Sequence, residues 1–375
     1  MDDIIQKIAS TAIHFEDKDA SKTMFKDLYK NREKSNNQEE RRKKMLEVQK
    51  CNRNATTDTF RGILDIVNSV DTTEDYFGST TQTYYRPNIY VAGFVKAPSS
   101  YYNVLMISEW MVEKPSDFAQ NWYVVPCPKG SRVLIVANNG RTKLYNKYGR
   151  FRLDTKTLLP GGHPNKGYQK TDCCVLDGFY DSLSNSVYIL DLLAWNNQAM
   201  TDGETDFRHF WLQTQVFIIQ GLNVLSKVNK LKFFLLPKVP CSREELNQFM
   251  MTYPAFENYI PALDGLLFYH KKTHYISGQT PLVGWLYPFM VKEVLGYDIT
   301  VHESYNLERP EDYTNQADYI VRFEERKTRT KQSKLDRLRI TQMQIGDYES
   351  GETYYSRLYN MDVGDCNNEE PTSHE

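Results

Sequence analysis

The stretch PALDGLLFYHKKTHYISGQTPLVGWLYPFM, residues Pro261 to Met290, decides the fold of this chain. A short apolar run, Leu266-Leu267-Phe268-Tyr269, follows an Asp-Gly turn signal and has the length of a buried strand. A basic loop bearing His270 and His274 comes next, then Gly278 and Pro281. A second apolar run passes through Leu282, Val283, Trp285 and Leu286. Two such runs joined by a glycine-bearing loop predict a β-hairpin. On pattern alone the hairpin is simply part of a core.

Working outward, 375 residues can hold one large domain or two smaller ones, and the net charge of -2 puts no global field on the chain to draw it onto nucleic acid. Any basic footprint must be local. The 26 tyrosines suit sheets and stacking surfaces. Six cysteines, Cys51, Cys127, Cys173, Cys174, Cys241 and Cys366, show no C-x-x-C spacing, and the histidines do not cluster, which argues against a zinc site. With no signal-peptide pattern and no run of membrane-spanning length, the expectation is a soluble protein with reduced thiols in cytosol or nucleus.

Residues 1–15 place Ile4, Ile5, Ile8, Ala12 and Phe15 at helix-like spacing. That fits either a terminal helix packed on the domain or an amphipathic helix that enters a partner's groove. From Lys26 to Arg53 there are ten Lys/Arg against five Asp/Glu. Ser35 with Gln38 reads as a capping box opening a helix that carries Arg41-Arg42-Lys43-Lys44 and then Met45 and Leu46. Its apolar positions are too few for firm docking, so the segment is expected to be disordered or loosely helical. Such a run suits an acidic protein, a nuclear-localisation signal or nucleic acid, and its chemistry alone does not choose. Residues 54–97 read as linker.

A folded domain is expected from about Ser99. Strands are predicted at Val104–Ile107, Trp122–Val125, Val133–Ala137, up to Tyr145, and at Tyr188–Trp195. A helix from about Arg243 to Met251 is capped by Ser242 with Glu245. Asp191 and Arg208 read as a structural ion pair. Between two of the strands lies Cys127-Pro128-Lys129-Gly130-Ser131-Arg132, and further on Asp177-Gly178-Phe179. In order and spacing these resemble the motifs of covalent nucleotidyltransferases, the DNA and RNA ligases and mRNA guanylyltransferases, where they read K-x-D-G-x-R and D-G-E. Here a cysteine stands for the nucleophilic lysine, and a thiol forms no phosphoramide. A phenylalanine stands for the metal-supporting glutamate, and the strand ending in Trp285 lacks the two final lysines. The resemblance implies the scaffold without its catalysis.

The phrases LMISEWMVEKPSDFAQNWYVVPCPKGSR, LLPGG, TDFRHFWL, DGLLFYHKKTHYISGQTPLVGWL and EERRKKMLEVQK resemble, more narrowly, the snurportin family of trimethylguanosine-cap-binding import adaptors. The likeness runs to about Tyr297, with gaps over 54–97 and around 214–230. It implies that Trp285 stacks on the N7-methylated guanine and that Trp110 lies beside the N2 methyl groups. Ile107 and Ser108 would flank the guanine edge, and Cys127 would lie beneath the pocket. Lys147 and Arg132 would meet the triphosphate, with Lys129 a further candidate. By themselves Trp110 and Trp285 read as core residues. The resemblance also implies an importin-beta-binding segment with Arg41, Arg42, Lys43, Lys44, Met45 and Leu46. Residues 1–15 match an exportin-recognised segment with Ile4, Ile5, Ile8 and Phe15.

The expected layout is an exportin segment over 1–15, an importin-beta segment over 20–60, a linker over 61–97 and a cap-binding domain over 98–300. A charged helix and disordered tail occupy 301–375. The expected fold class is α+β, antiparallel sheets with flanking helices and a disordered or helical N-terminal arm. No catalytic residue, metal or cofactor is expected. The partners would be trimethylguanosine-capped U snRNA or U snRNP, importin-beta and an exportin, with no membrane, and the protein would shuttle between cytoplasm and nucleus. Two other readings remain at this stage: an active nucleotidyltransferase using Lys129 or Lys147, and a general single-stranded RNA binder.

Overall fold

The computed structural model describes residues 37–52, 62–68, 70, 101–163, 172–256, 261–326 and 328–329. In chain order the elements begin with helix α1 (Gln38–Asn52) and a short helix α2 (residues 63–68). Then come β1 (Met106–Trp110), α3 (Phe118–Asn121), β2 (Trp122–Pro128), β3 (Ser131–Asn138), β4 (Arg141–Asn146) and β5 (Phe151–Thr155). Next are β6 (Cys173–Asp181), β7 (Ser186–Trp195), β8 (Gln198–Ala199), α4 (Thr205–Ile218), β9 (Lys232–Leu235) and β10 (Val239–Pro240). The chain goes on through α5 (Arg243–Met251), β11 (Leu263–His270), β12 (Gly278–Leu286), α6 (Val291–Leu295), α7 (Glu303–Leu307) and α8 (residues 316–326).

The opening stretch forms the expected hairpin: β11 and β12 pair antiparallel, with Leu267 opposite Trp285. Around it grows a sheet in the order β1-β12-β11-β2-β10, in which β1 runs parallel to β12. The second sheet runs β5-β4-β3-β6-β7-β8, with β9 parallel to β7. The remaining pairs are antiparallel, so the chain is a mixed α+β fold of two largely antiparallel sheets.

Strand alternation decides where the core lies, because successive side chains point to opposite faces. Val125, Cys127, Leu267, Tyr269 and Val283 from the first sheet meet Leu134, Val136, Val175, Phe179 and Leu190 from the second. The sheets are therefore stacked face to face. On the outer face of the first, Val124, Leu266 and Phe268 pack beneath Leu246, Met250, Val291 and Tyr305 of α5, α6 and α7. On the outer face of the second, Ile135, Leu176 and Ile189 take Leu212 of α4. Helix α5 starts as its sequence dictates: the Ser242 hydroxyl oxygen accepts from Glu245 N–H and donates to its carboxylate at 2.7 Å.

Three segments depart from expectation. Within the stretch read as linker, α2 inserts Ile63 and Val67 into the inter-sheet core. Within the stretch read as a charged helix outside the domain, α8 buries Gln316, Ala317 and Ile320 against the domain. Helix α1, expected to stay loose for want of apolar residues, is docked, because its inner face is held by hydrogen bonds instead. Its N-terminus is capped by Asn37, whose side-chain oxygen accepts from Glu39 N–H at 2.9 Å and Glu40 N–H at 3.3 Å. Ser35, the expected cap, lies outside the described residues, as do Ile4, Ile5, Ile8 and Phe15 of the expected exportin segment.

Candidate functional site

Trp285 belongs to the inner face of the first sheet, and its half-buried indole borders the inter-sheet core together with Ile107 and Phe256. Its seat is Gly265 on the neighbouring strand. A β-carbon at 265 would stand 2.6 Å from the ring's Cη2. The Asp-Gly pair that opens β11 thus does more than turn the chain, since its bare Cα lets a large aromatic lie flat on the sheet. Gly265 is in turn paired with Cys127 on β2.

Trp110 is the register partner of Trp285 across the parallel β1–β12 pair. Between Ser108 and Glu109 the register shifts, so that Ser108 faces Thr280 and Glu109 already faces Gly284. The extra residues, 281–283, lie on β12. Ile107 packs on the inter-sheet core, and Trp110 packs against the neighbouring apolar cluster at Tyr287, whose ring also lies 5.9 Å from Trp285. There Tyr287 lies 6.0 Å from the Trp110 ring, Tyr319 is edge-on at 6.1 Å and Phe323 at 5.5 Å. Two buried glutamine amides hold the same segment: Gln38 donates to Trp110 C=O at 2.9 Å and Gln316 to Met111 C=O at 2.9 Å.

Cys127 is fully buried, and burial pushes its thiol well above the ordinary range. A thiol held neutral supplies no thiolate. Arg132, expected at a triphosphate, is instead gripped by Asp177 through two bonds of 2.5 and 2.6 Å. Its guanidinium also lies 5.0 Å over the ring of Phe179. The same Asp177 accepts from the Tyr275 hydroxyl at 2.7 Å, and that hydroxyl accepts from Met106 N–H. Arg132 and Tyr275 therefore tie β1, just before Ile107, to the second sheet. Lys147 sits exposed in the β4–β5 turn with its ammonium 5.1 Å over Tyr148, and Lys129 is exposed after β2. These two cations face solvent.

The ion pair read between Asp191 and Arg208 is present, fully buried and bidentate at 2.9 and 2.8 Å. Arg208 also donates to Thr273 C=O and to the Thr205 hydroxyl, so its fork is filled. Burial opposes ionisation of Asp191, but Arg208 and Lys238 hold its carboxyl down at about 2. This pair joins α4 to β7 away from the paired tryptophans.

The structure thus gathers Trp285, Ile107 and Cys127 on the inner face of one sheet and sets Trp110 beside them on the neighbouring strand. Sequence reading missed Gly265, Phe256 and the aromatic surround of Trp110. The only advance signal for the last was Tyr319 and Phe323 at i, i+4 spacing.

Residues 104–288 match the family model described as Snurportin1, m3G cap-binding domain. Among solved structures, the chain is similar to the ligase domain of LigD from M. tuberculosis at 16% identity and a TM-score of 0.31, over 48% of this chain and 58% of that one. It is similar to mycobacterial DNA ligase D complexed with ATP and MES at 16% identity and a TM-score of 0.30, over 48% and 59%. A Lig E DNA ligase matches at 13% identity and a TM-score of 0.31, over 48% and 67%. The chain spans less than three fifths of the length of the two ligase D chains, at 58% and 59%.

Proposed function

We propose, on the premise that residues 104–288 make this a snurportin-type protein with an m3G cap-binding domain, that the chain is a non-catalytic nuclear import adaptor. It reads the trimethylguanosine cap of U snRNA and links the snRNP to importin-beta. The observation that carries the cap reading is the seating of Trp285 on Gly265 at the border of the inter-sheet core, next to Trp110. An N7-methylated guanine is cationic, and an indole face attracts it by stacking, about 1–3 kcal/mol per base, and by cation–π attraction, about 0.5–2 kcal/mol. Trp110 supplies apolar surface for the N2 methyls. Lys147 and Lys129 supply solvent-facing cations for the triphosphate, while Arg132 braces the strand that carries Ile107 and Ser108.

The import half of the reading rests on α1, whose Arg41-Arg42-Lys43-Lys44 run suits an acidic solenoid receptor. Residues 1–15 are assigned to an exportin that recycles the adaptor, and shuttling between cytoplasm and nucleus follows from the two receptors together. Cys127, buried and neutral, gives covalent nucleotidyl transfer no thiolate in the nucleophile slot.

The test is competition between RNAs carrying trimethylated and monomethylated caps for the full chain, at fixed salt. Preference for the trimethylated cap is expected, with no acid-labile nucleotide adduct after incubation with labelled GTP and a divalent metal. Equal binding of both caps would refute the cap reading, and label on Lys129 or Lys147 would make the chain an enzyme. For the import half, changing Arg41, Arg42, Lys43 and Lys44 together to Ala should abolish importin-beta binding and leave cap binding intact.

A further inference from the structure

Helix α1 turns one face to the domain, and that face is the one assigned above to the import receptor. Gln38, Arg41, Arg42, Met45, Leu46 and Gln49 recur at helical spacing. Gln38, Arg42 and Gln49 are buried and Arg41, Met45 and Leu46 half-buried, whereas Glu40, Lys43, Lys44, Glu47 and Lys50 are exposed. Arg41 forms a bidentate pair with Glu109 at 2.8 and 2.7 Å. Arg42 donates to Pro281 C=O at 3.3 Å, to the Gln38 side chain at 2.6 Å and to Glu113 C=O at 3.5 Å, with its guanidinium 5.3 Å over Trp122. Each end is fastened by an amide that both donates and accepts. Gln38 gives a hydrogen bond to Trp110 C=O and takes one from Val112 N–H. Gln49 gives one to Lys272 C=O and takes one from His274 N–H.

We infer that α1 is a latch: the cap-binding domain holds it by Arg41, Arg42, Met45 and Leu46, so docking and importin-beta binding exclude one another. The inference rests on the receptor role proposed for α1. The surface under the helix, with the Glu109 carboxylate and the carbonyls of Trp110, Glu113, Lys272 and Pro281, offers the acceptors that an acidic receptor would also offer. The fit is built to come apart. Its contacts are mostly polar, so another protein's carboxylates can replace the acceptors offered to Arg41 and Arg42, and water can take up the rest. A cavity of about 230 Å³, lined by Leu46, Gln49 and Lys50 on one side and Asp117, His270 and His274 on the other, is left beneath the C-terminal half of the helix.

Hydrogen exchange of the full chain, read on peptides covering 38–52, tests the latch without any receptor. Two variants loosen it from opposite sides: Glu109→Gln on the domain and Gln49→Ala on the helix. The amides of α1 should be protected in the unaltered chain and lose protection at least about tenfold in either variant. Importin-beta should then bind both variants at least about threefold more tightly, because less of α1 is held in the closed state. Exchange of α1 at free-peptide rates in the unaltered chain, or protection unchanged in both variants, would overturn the latch. Lost protection with unchanged importin-beta affinity would overturn the exclusion. Failure of importin-beta to bind any form would sink the receptor reading itself, and the exchange result would still decide docking.

Discussion

The indole of Trp285 and the backbone of Gly265 occupy each other's space so closely that no side chain fits between them: a β-carbon at 265 would meet Cη2 at 2.6 Å. Gly265→Ala must therefore push the ring off its seat, while the rest of β11 keeps its pairing to β2 and β12. The variant should fold, with unchanged far-ultraviolet circular dichroism. It should lose at least about tenfold in cap affinity, roughly 1.4 kcal/mol. Full affinity in a folded Gly265→Ala chain would mean that the seat is irrelevant to the ligand.

Tyr319 and Phe323 of α8 stand edge-on to Trp110 at 6.1 and 5.5 Å. Such pairs are worth about 0.5–1.5 kcal/mol each, enough to hold the ring in one orientation. Changing both residues to Ala should cut the ratio of trimethylated to monomethylated cap affinity by at least about threefold, roughly 0.65 kcal/mol, and leave quenching at Trp285 in place. A ratio that does not move would remove α8 from the account of specificity.

Arg208→Leu strands the Asp191 carboxylate, fully buried, with Lys238 as the remaining nearby cation among the described residues. Removing one partner of such a pair costs about 3–5 kcal/mol. The urea midpoint should fall accordingly, and a loss under about 1 kcal/mol would contradict a dry, committed pair.

His209 is buried, and its Nδ1 has no hydrogen-bond partner among the described residues. Burial first, and Lys238 second, pull its pKa down to about 3. The unfolded chain, with histidine near 6.5, then binds a proton that the folded chain refuses. Stability is full above pH 6.5 and declines as pH falls towards 3, by at most about 1.4 kcal/mol per unit. Urea midpoints at pH 7.5 and 5.5 should differ less in His209→Gln than in the unaltered chain. Equal differences would acquit His209.

The hairpin of β11 and β12, the Ser242 cap and the Asp191–Arg208 pair were all readable in advance, because each is written in local spacing or in an obligatory charge partner. Gly265 was not. Nothing in an Asp-Gly dipeptide reports an indole twenty residues on, and only register across the hairpin brings them together. The docking of α1 escaped for a different reason. Apolar periodicity is the usual sign of a buried helix face, and the buried face here is Gln, Arg and Gln around two apolar residues. In α8 the stripe of Ala317, Tyr319, Ile320 and Phe323 is diluted by Arg322, Glu324, Glu325 and Arg326. The dense charge read as a charged helix, with no sign of a docked face. Arg132 was read as a phosphate ligand, and its pairing with Asp177 was not legible, since a guanidinium fork fits either anion.

The most direct test of cap reading is tryptophan fluorescence of the full chain, titrated with trimethylated and monomethylated cap dinucleotides and repeated on Trp285→Ala. Strong quenching that favours the trimethylated cap and weakens at least about tenfold in the variant is the predicted result. Equal affinity for the two caps, or a variant that binds as well as the unaltered chain, would contradict it.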